Sequence, residues 1–277
     1  MPELIEVEYY RRLAERALGR EVAAVLAPDP WFLKRGTTAA ALEEAMVGRR
    51  LLAARRIGKL LLFDTDAGAD AGNDHDRSAP PGSTGPTLGL RFGMTGRLVL
   101  DGVAGIDRLE RSSHRDEPSW DRFALRFADG GTMRLQDPRR LGGVELEPDE
   151  DRMGVDALTV GPAGLRDLLA GGAAPLKARL MDQGRLAGIG NLLCDEILWR
   201  SGLDPARPAG SLTPAERRRL HRALRSTLDD LLGRGGSHTG DLHLARVRGG
   251  RCPRDGAALD RRTIGGRTTY SCPVHQR

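Results

Sequence analysis

The fold of this chain is constrained most by a change of texture at one acidic, non-periodic segment, Glu147-Pro148-Asp149-Glu150-Asp151. Before it, from 20 to about 145, short apolar runs such as Leu60-Leu61-Leu62-Phe63 and Arg97-Leu98-Val99-Leu100 alternate with Gly, Asp and Pro turns, which predicts strands. After it, apolar spacing predicts helices over 164–169, 176–182, 191–200 and 214–232. A further helix is predicted over 3–18, with Val7, Leu13, Ala14 and Leu18 available to a core and Gly19 as its stop. Strands gathered in one half and helices in the other describe an α+β protein, not alternating βα units. At 277 residues the chain can hold two domains, each with its own core. The stretch 65–87, rich in Ala, Gly, Asp, Ser and Pro, reads as a flexible insertion between two strands, and 103–118 as another polar loop.

Both ends of the chain carry chemistry. Pro2, once Met1 is removed, is a secondary amine that titrates about two units below a lysine, so a useful fraction is an unprotonated nucleophile near neutral pH. Glu3 and Glu6 stand at i and i+3, which puts both carboxylates on one face of the first helical turn beside that amine. A plainer account is a helix start, with proline at the first position and glutamates at the positive end of the dipole. At the other end, Cys252 and Asp255, then Cys272 and His275, form two ligand pairs flanking a short predicted hairpin. Two thiolates, a carboxylate and an imidazole make a chemically sensible structural Zn2+ site, with His238 and His243 in reserve. The alternative is a turn at Asp255-Gly256 beside free thiols.

Charge and cysteine usage narrow the class. Lys and Arg number 43 against 38 Asp and Glu, a net +5 dominated by arginine, which suits phosphate contact. Arg217, Arg218, Arg219, Arg222 and Arg225 crowd one predicted helix, either as a nucleic-acid face or as a solvated face balanced by Glu216 and Asp229. Only 3 cysteines occur, so no disulfide framework is implied, and Cys194 in an apolar stretch reads as core. No run is long enough to span a membrane and no secretory pattern opens the chain, so a soluble, cytoplasmic protein is expected. Ala187-Gly188-Ile189-Gly190-Asn191 lies before a predicted helix; its glycines either let amides approach a phosphate or make a tight helix–helix turn.

Taken in order, these features resemble the N-terminal-proline DNA glycosylases that include formamidopyrimidine-DNA glycosylase and endonuclease VIII. Pro2-Glu3 with Glu6 is similar to the family's catalytic start, and Ile57-Gly58-Lys59-Leu60 to its β-turn carrying a catalytic lysine. Phe92-Gly93-Met94-Thr95-Gly96 and Asp137-Pro138-Arg139-Arg140-Leu141-Gly142 resemble two loops that enter the DNA helix. The segment Asp182–Asn191 resembles the helix–two-turn–helix signature, and the cysteine pairs with Arg267 resemble the zinc finger. The resemblance spans essentially the whole chain. It implies a helix plus β-sandwich domain over 1–147, a helical DNA-binding domain over 153–235 and a zinc β-hairpin over 243–277, with DNA in the cleft between domains.

The resemblance also implies base excision repair by a bifunctional glycosylase and AP lyase. Pro2 would attack C1′ of a flipped, damaged and most simply oxidised nucleotide, and β- then δ-elimination would follow. Glu3 would move protons, Glu6 position sugar or water, and Lys59 hold a phosphate. Met94 would fill the void left by the flipped base, with Arg139 and Leu141 beside the orphaned partner. Asn191 and Arg267 would bind flanking phosphates. The expected partner is damaged duplex DNA, met by a monomer with structural zinc and no membrane or small-molecule cofactor. Departures from the oxidised-purine branch are Ile5 for a proline, Arg91 for a histidine, Leu141 for a phenylalanine, Asp255 for a cysteine, and Gly233–Leu242 in place of a base-capping loop. A lesion-binding protein without turnover and an unrelated zinc-ribbon module are the other classes considered.

Overall fold

In the computed structural model the described residues are 2–68, 85–106, 109 and 115–277. The flexible insertion expected within 65–87 therefore falls, over 69–84, outside the described residues, as do 107–108 and 110–114 of the second polar loop. The chain divides into two compact units, the first comprising Pro2 and Glu6–Glu150, the second Glu3–Ile5 and Asp151–Arg277.

Helix α1, Leu4–Ala14, carries Glu6 in its first turn and Arg11 and Arg12 in its last, an order that complements the helix dipole. Glu8 receives Arg11 three residues on and Arg12 four residues on, adding pairs across successive turns. The helix tightens into a single 3-10 turn over Glu15–Ala17 and stops at Gly19, whose φ of 78° only glycine adopts without strain.

Unit 1 contains two antiparallel sheets. One joins β1 (Val22–Leu26), β5 (Arg97–Leu100), β6 (Val103–Ala104), β7 (Asp121–Phe127) and β8 (Thr132–Gln136) in the order β1-β7-β8-β5-β6. The other runs β2-β3-β4-β9, from Leu51–Ile57, Leu60–Thr65, Thr87–Arg91 and Gly143–Leu146. Leu61, Phe63, Leu88 and Leu90 of one sheet share a single buried cluster with Leu98, Phe123, Leu125 and Leu135 of the other, and Val7, Tyr10 and Leu13 of α1 join it. That is a sandwich with a helix packed on it. Strand texture over 20–145 misses the short 3-10 turns Pro30–Phe32 and Pro118–Trp120 and an α-helix: α2, Ala39–Met46. Its signal was present, because Thr38 accepts the Ala41 amide as an N-cap before a run of strong helix formers.

Unit 2 contains α3 (Pro162–Leu169), α4 (Leu176–Leu180), α5 (Asn191–Ser201) and α6 (Pro214–Arg234). A capping box between Thr213 and Glu216 starts α6, and Gly235 at φ 95° ends it. Between α4 and α5 the short strand β11 (Leu186–Ala187) pairs in parallel with β10 (Val155–Asp156). The chain then forms a hairpin of β12 (Asp260–Ile264) and β13 (Arg267–Ser271), turned by Gly265 and Gly266 at φ 56° and 72°. Two of the α6 arginines serve the fold: Arg219 donates to the Ser201 carbonyl at 2.7 Å, and Arg225 donates to the Leu158 carbonyl. Among the described residues no helix is long and apolar enough to cross a membrane.

Candidate functional site

Pro2 is buried just before α1 and belongs to unit 1, whereas Glu3, its neighbour in the chain, belongs to unit 2. Hydrogen bonds tie Glu3 to unit 2. The Glu3 carboxylate accepts the backbone amides of Gly190 at 3.0 Å, Leu192 at 2.9 Å and Leu193 at 3.0 Å, at the start of α5. A helix start offers unsatisfied N–H groups and a positive dipole end, and here one carboxylate takes both. Glycine is required beside it, since a Cβ on Gly190 would lie 2.2 Å from the Glu3 carboxyl carbon. Gly188, at φ 111°, makes way for Leu4 in the same manner, with a Cβ 2.4 Å from that side chain. The two glycines thus admit the chain's own Glu3 and Leu4, and the Gly190, Leu192 and Leu193 amides are held by Glu3. Gln183 locks the preceding turn, donating to the Met181 and Ile189 carbonyls and accepting the Gly188 amide. Glu6 is buried in the first turn of α1.

Lys59 occupies a two-residue turn between β2 and β3, where Ile57 pairs with Leu60. Gly58 takes φ 60° at the first central position, the glycine site of a type II′ hairpin. Arg56 braces this turn, donating to the Gly58 carbonyl at 2.9 Å and to Glu8 of α1 at 3.1 Å. Burial opposes ionisation of Glu8, but Arg11 and Arg56 outweigh it and hold the carboxyl below its usual range. Neither Glu8 nor Arg56 was singled out from sequence; a charged pair 48 positions apart leaves no periodic signal.

Met94 lies half-buried in the turn between β4 and β5, while Arg139 and Leu141 are exposed in the loop before β9. One buried carboxylate holds these loops together. Asp137 accepts the Thr95 hydroxyl at 2.5 Å, the Leu141 and Gly142 amides at 2.8 Å each, and the Arg139 amide at 3.2 Å. The backbones cross so closely that a Cβ on Gly93 would lie 2.4 Å from the Leu141 carbonyl carbon. Tyr10 donates its hydroxyl to the Gly96 carbonyl at 3.0 Å, a neutral donor because burial pushes its phenol well above the usual range. Arg140, at φ 56°, pairs through two 2.6 Å contacts with Asp29, leaving Arg139 as the outward arginine of the loop. Arg91 points to the buried Glu145 at 2.7 Å, which also faces Arg35 at 2.8 Å. The Asp-Pro dipeptide at 137–138 was the available sign of an Asp-organised turn.

In unit 2, Asn191 opens α5 and its side-chain amide donates to the Thr268 carbonyl at 3.1 Å. Arg267, exposed at the head of β13, is the residue before that carbonyl, so these two candidates sit together. Thr268 is held from the other side by Lys177, whose ammonium lies 3.3 Å from the same carbonyl and 2.6 Å from the buried Asp195.

The remaining candidates converge at the base of the hairpin. One donor atom from each of Cys252, Asp255, Cys272 and His275 lies within 4.8 Å of the others. Cys272 Sγ is 3.2 Å from Asp255 Oδ2, His275 Nδ1 is 2.8 Å from the same oxygen, and Cys252 Sγ is 3.7 Å from His275 Nδ1. Tetrahedral zinc with bonds of about 2.0–2.3 Å separates its ligand atoms by roughly 3.3–3.8 Å. The donor set fits such an ion in identity and number, and its 2.8–3.7 Å contacts gather the four donors at one point, two of them closer than the ligand spacing around a bound ion. His275 Nε2 faces the Trp199 carbonyl at 3.2 Å, a contact that places the proton on Nε2 and leaves the Nδ1 lone pair for a metal. The Ala257 amide donates to Asp255 Oδ1 at 3.0 Å, which orients that carboxylate beside the other donors. His238 and His243 stack edge to face at 6.4 Å and belong to no such group among the described residues.

Known proteins are similar to this chain over its whole length. Residues 1–144 match the family model described as the formamidopyrimidine-DNA glycosylase N-terminal domain, and residues 148–242 match the H2TH domain of the same glycosylase. The formamidopyrimidine-DNA glycosylase of Thermus thermophilus is 35% identical, covering 100% of this chain and 98% of its own. That of Alkalilimnicola ehrlichii is 33% identical and covers 100% of both. In solved structures, a Lactococcus lactis glycosylase bound to DNA containing an oxidized pyrimidine superposes with TM-score 0.76 at 25% identity, over 100% of both chains.

Proposed function

The chain belongs to the formamidopyrimidine-DNA glycosylase family, and we propose that it is a bifunctional DNA glycosylase and AP lyase of base excision repair acting on oxidised bases in duplex DNA. The observation that carries this reading is the Glu3 carboxylate, fixed by amides of Gly190, Leu192 and Leu193 in the position directly after Pro2. A covalent amine catalyst needs a proton-transfer group at a fixed place, and a carboxylate held by backbone donors does not wander.

In the reaction the Pro2 nitrogen attacks C1′ of the extruded nucleotide and the C1′–N bond to the base breaks, its electron pair leaving with the base, which takes up a proton. The ring oxygen is protonated as the sugar opens, and the adduct becomes a cationic iminium at C1′. Loss of a C2′ proton then expels the 3′ phosphate, and a second elimination expels the 5′ phosphate. Glu3 carries the protons, Glu6 positions the sugar or a water, and Lys59 holds a backbone phosphate. Met94 occupies the void, with Arg139 and Leu141 beside the unpaired base, a use suited to flexible apolar and fork-shaped side chains. Asn191 and Arg267 hold flanking phosphates without reading sequence. Cys252, Asp255, Cys272 and His275 hold structural zinc, whose contribution is folding free energy for the hairpin that presents Arg267. One chain carries every group named, so a monomer suffices, and its place is at cytoplasmic, nucleoid DNA.

Borohydride trapping on a duplex carrying one abasic site tests the reading. The expected result is a covalent adduct mapped to Pro2 once Met1 has been removed, weakened in Pro2→Gly and abolished when the amine is blocked. Trapping that survives the block would sink it, and no adduct from a processed N-terminus would leave a lesion-binding protein.

A further inference from the structure

Trp199 is buried near the end of α5, 6% exposed, and clusters with Cys252 and Cys272. Three of its parts face the four-donor group. The indole Nε1–H donates to Cys252 Sγ at 3.3 Å, and the backbone carbonyl accepts His275 Nε2 at 3.2 Å. The ring lies edge to face with the His275 imidazole at 5.9 Å, and the Arg254 guanidinium covers it at 4.9 Å. Arg254 belongs to the short loop between Cys252 and Asp255, so a single residue touches the surroundings of three donors.

We propose that Trp199 is the positioning residue of the metal centre, fixing the charge of the Cys252 thiolate and the tautomer of His275 from outside the ligand shell. The proposal rests on the zinc reading above. Two thiolates and a carboxylate bring three negative charges to a divalent cation, one more than it neutralises. An N–H aimed at sulfur spreads the excess without withdrawing the sulfur from the metal. The carbonyl contact keeps the imidazole proton on the nitrogen remote from the ion, so Nδ1 is free to ligate. A phenylalanine here would fill most of the same space but could not donate to the thiolate, whereas the backbone carbonyl would remain.

The consequence is specific to the indole N–H and is readable without DNA. In the full-length chain, Trp199→Phe should lower Zn2+ affinity about 10- to 100-fold in competition with a chelating dye, with the far-ultraviolet spectrum unchanged. Loaded with Co2+, the variant's sulfur-to-metal charge-transfer band should move to longer wavelength, because a thiolate without its N–H is the stronger donor. Wild-type affinity and an unmoved band would overturn the proposal. Should Trp199→Phe fail to fold, the double variant Trp31→Phe/Trp120→Phe leaves Trp199 as the single indole of the 3 in the chain. Its emission should change with Zn2+ and saturate at one ion per chain; flat emission while Zn2+ binds would overturn the proposal. A wild-type chain that binds neither Zn2+ nor Co2+ at the cysteines would instead remove the zinc reading, and the proposal with it.

Discussion

Gly190 shows how one residue can decide a site. Its hydrogen in place of a side chain is what admits the Glu3 carboxylate, since a Cβ would stand 2.2–2.6 Å from that group. Gly190→Ala should therefore cost about 1–3 kcal/mol as an overpacked contact and push Glu3 from its three amides. The expected outcome is a folded protein with strongly reduced base excision in single-turnover assays; unchanged excision would show that Glu3 need not sit where it does. From sequence, the glycines of 187–191 admitted two accounts, a phosphate cradle and a tight turn. The structure supplies a third that neither contained, because the occupant of the cradle is a side chain 187 positions away. Arg56 was missed for the same reason, its partner Glu8 standing 48 positions away; Asp-Pro at 137–138 marked a turn, but the reach of Asp137 to Thr95, 42 positions away, carries no local pattern. Cys252, Asp255, Cys272 and His275 were legible because each pair is spaced by geometry that survives in any fold.

At the scale of elements, capping chemistry is the most transferable signal. Thr213, Pro214 and Glu216 open α6 as a capping box, and Arg207 reinforces it by an ion pair at 2.7 Å. Arg207 first, and then the Thr213 amide, pull the Glu216 carboxyl from 4.5 down to about 2. A depressed carboxyl contributes stability that is fully present above 4.5 and is lost as pH falls toward about 2. Glu216→Gln keeps the capping reach without the charge, so its stability should be lower at neutral pH and converge with wild type across that window. Denaturant titrations at several pH values check this, and parallel curves would refute the pair's contribution. The same kind of signal at Thr38 marks α2, overlooked because the surrounding segment is dominated by strands. Helix periodicity located α3 to α6 well, and their ends differ by a few residues where caps such as Gly235 act.

At the scale of the molecule, affinity for DNA should behave as a sum over phosphate contacts. Each neutralised phosphate releases a condensed counterion, so Arg267→Ala should weaken binding uniformly across sequences and reduce the slope of log affinity against log salt by about 0.9. Filter-binding or anisotropy titrations from low to moderate salt measure it; an unchanged slope would take Arg267 out of the phosphate set. The helical arginines give a contrast. Arg219 and Arg225 reach backbone carbonyls of their own unit, so their replacement should reduce stability. Formal charge alone could not separate the two groups.

What the sequence determined by itself is whatever depends on near neighbours: strand and helix periods, caps, the Gly58 turn, the spacing of the four candidate donors and the order of the motifs along 277 residues. These are set by backbone stereochemistry and by side chains a few positions apart, and they hold in any fold that contains them. Only the tertiary structure decided that Glu3 caps α5, that Asp137 locks two loops, and that Trp199 stands behind Cys252 and His275. Each of those is a buried polar group whose partner is distant in sequence. Burial makes an unmet hydrogen bond costly, so the partner is required; folding selects which residue it is.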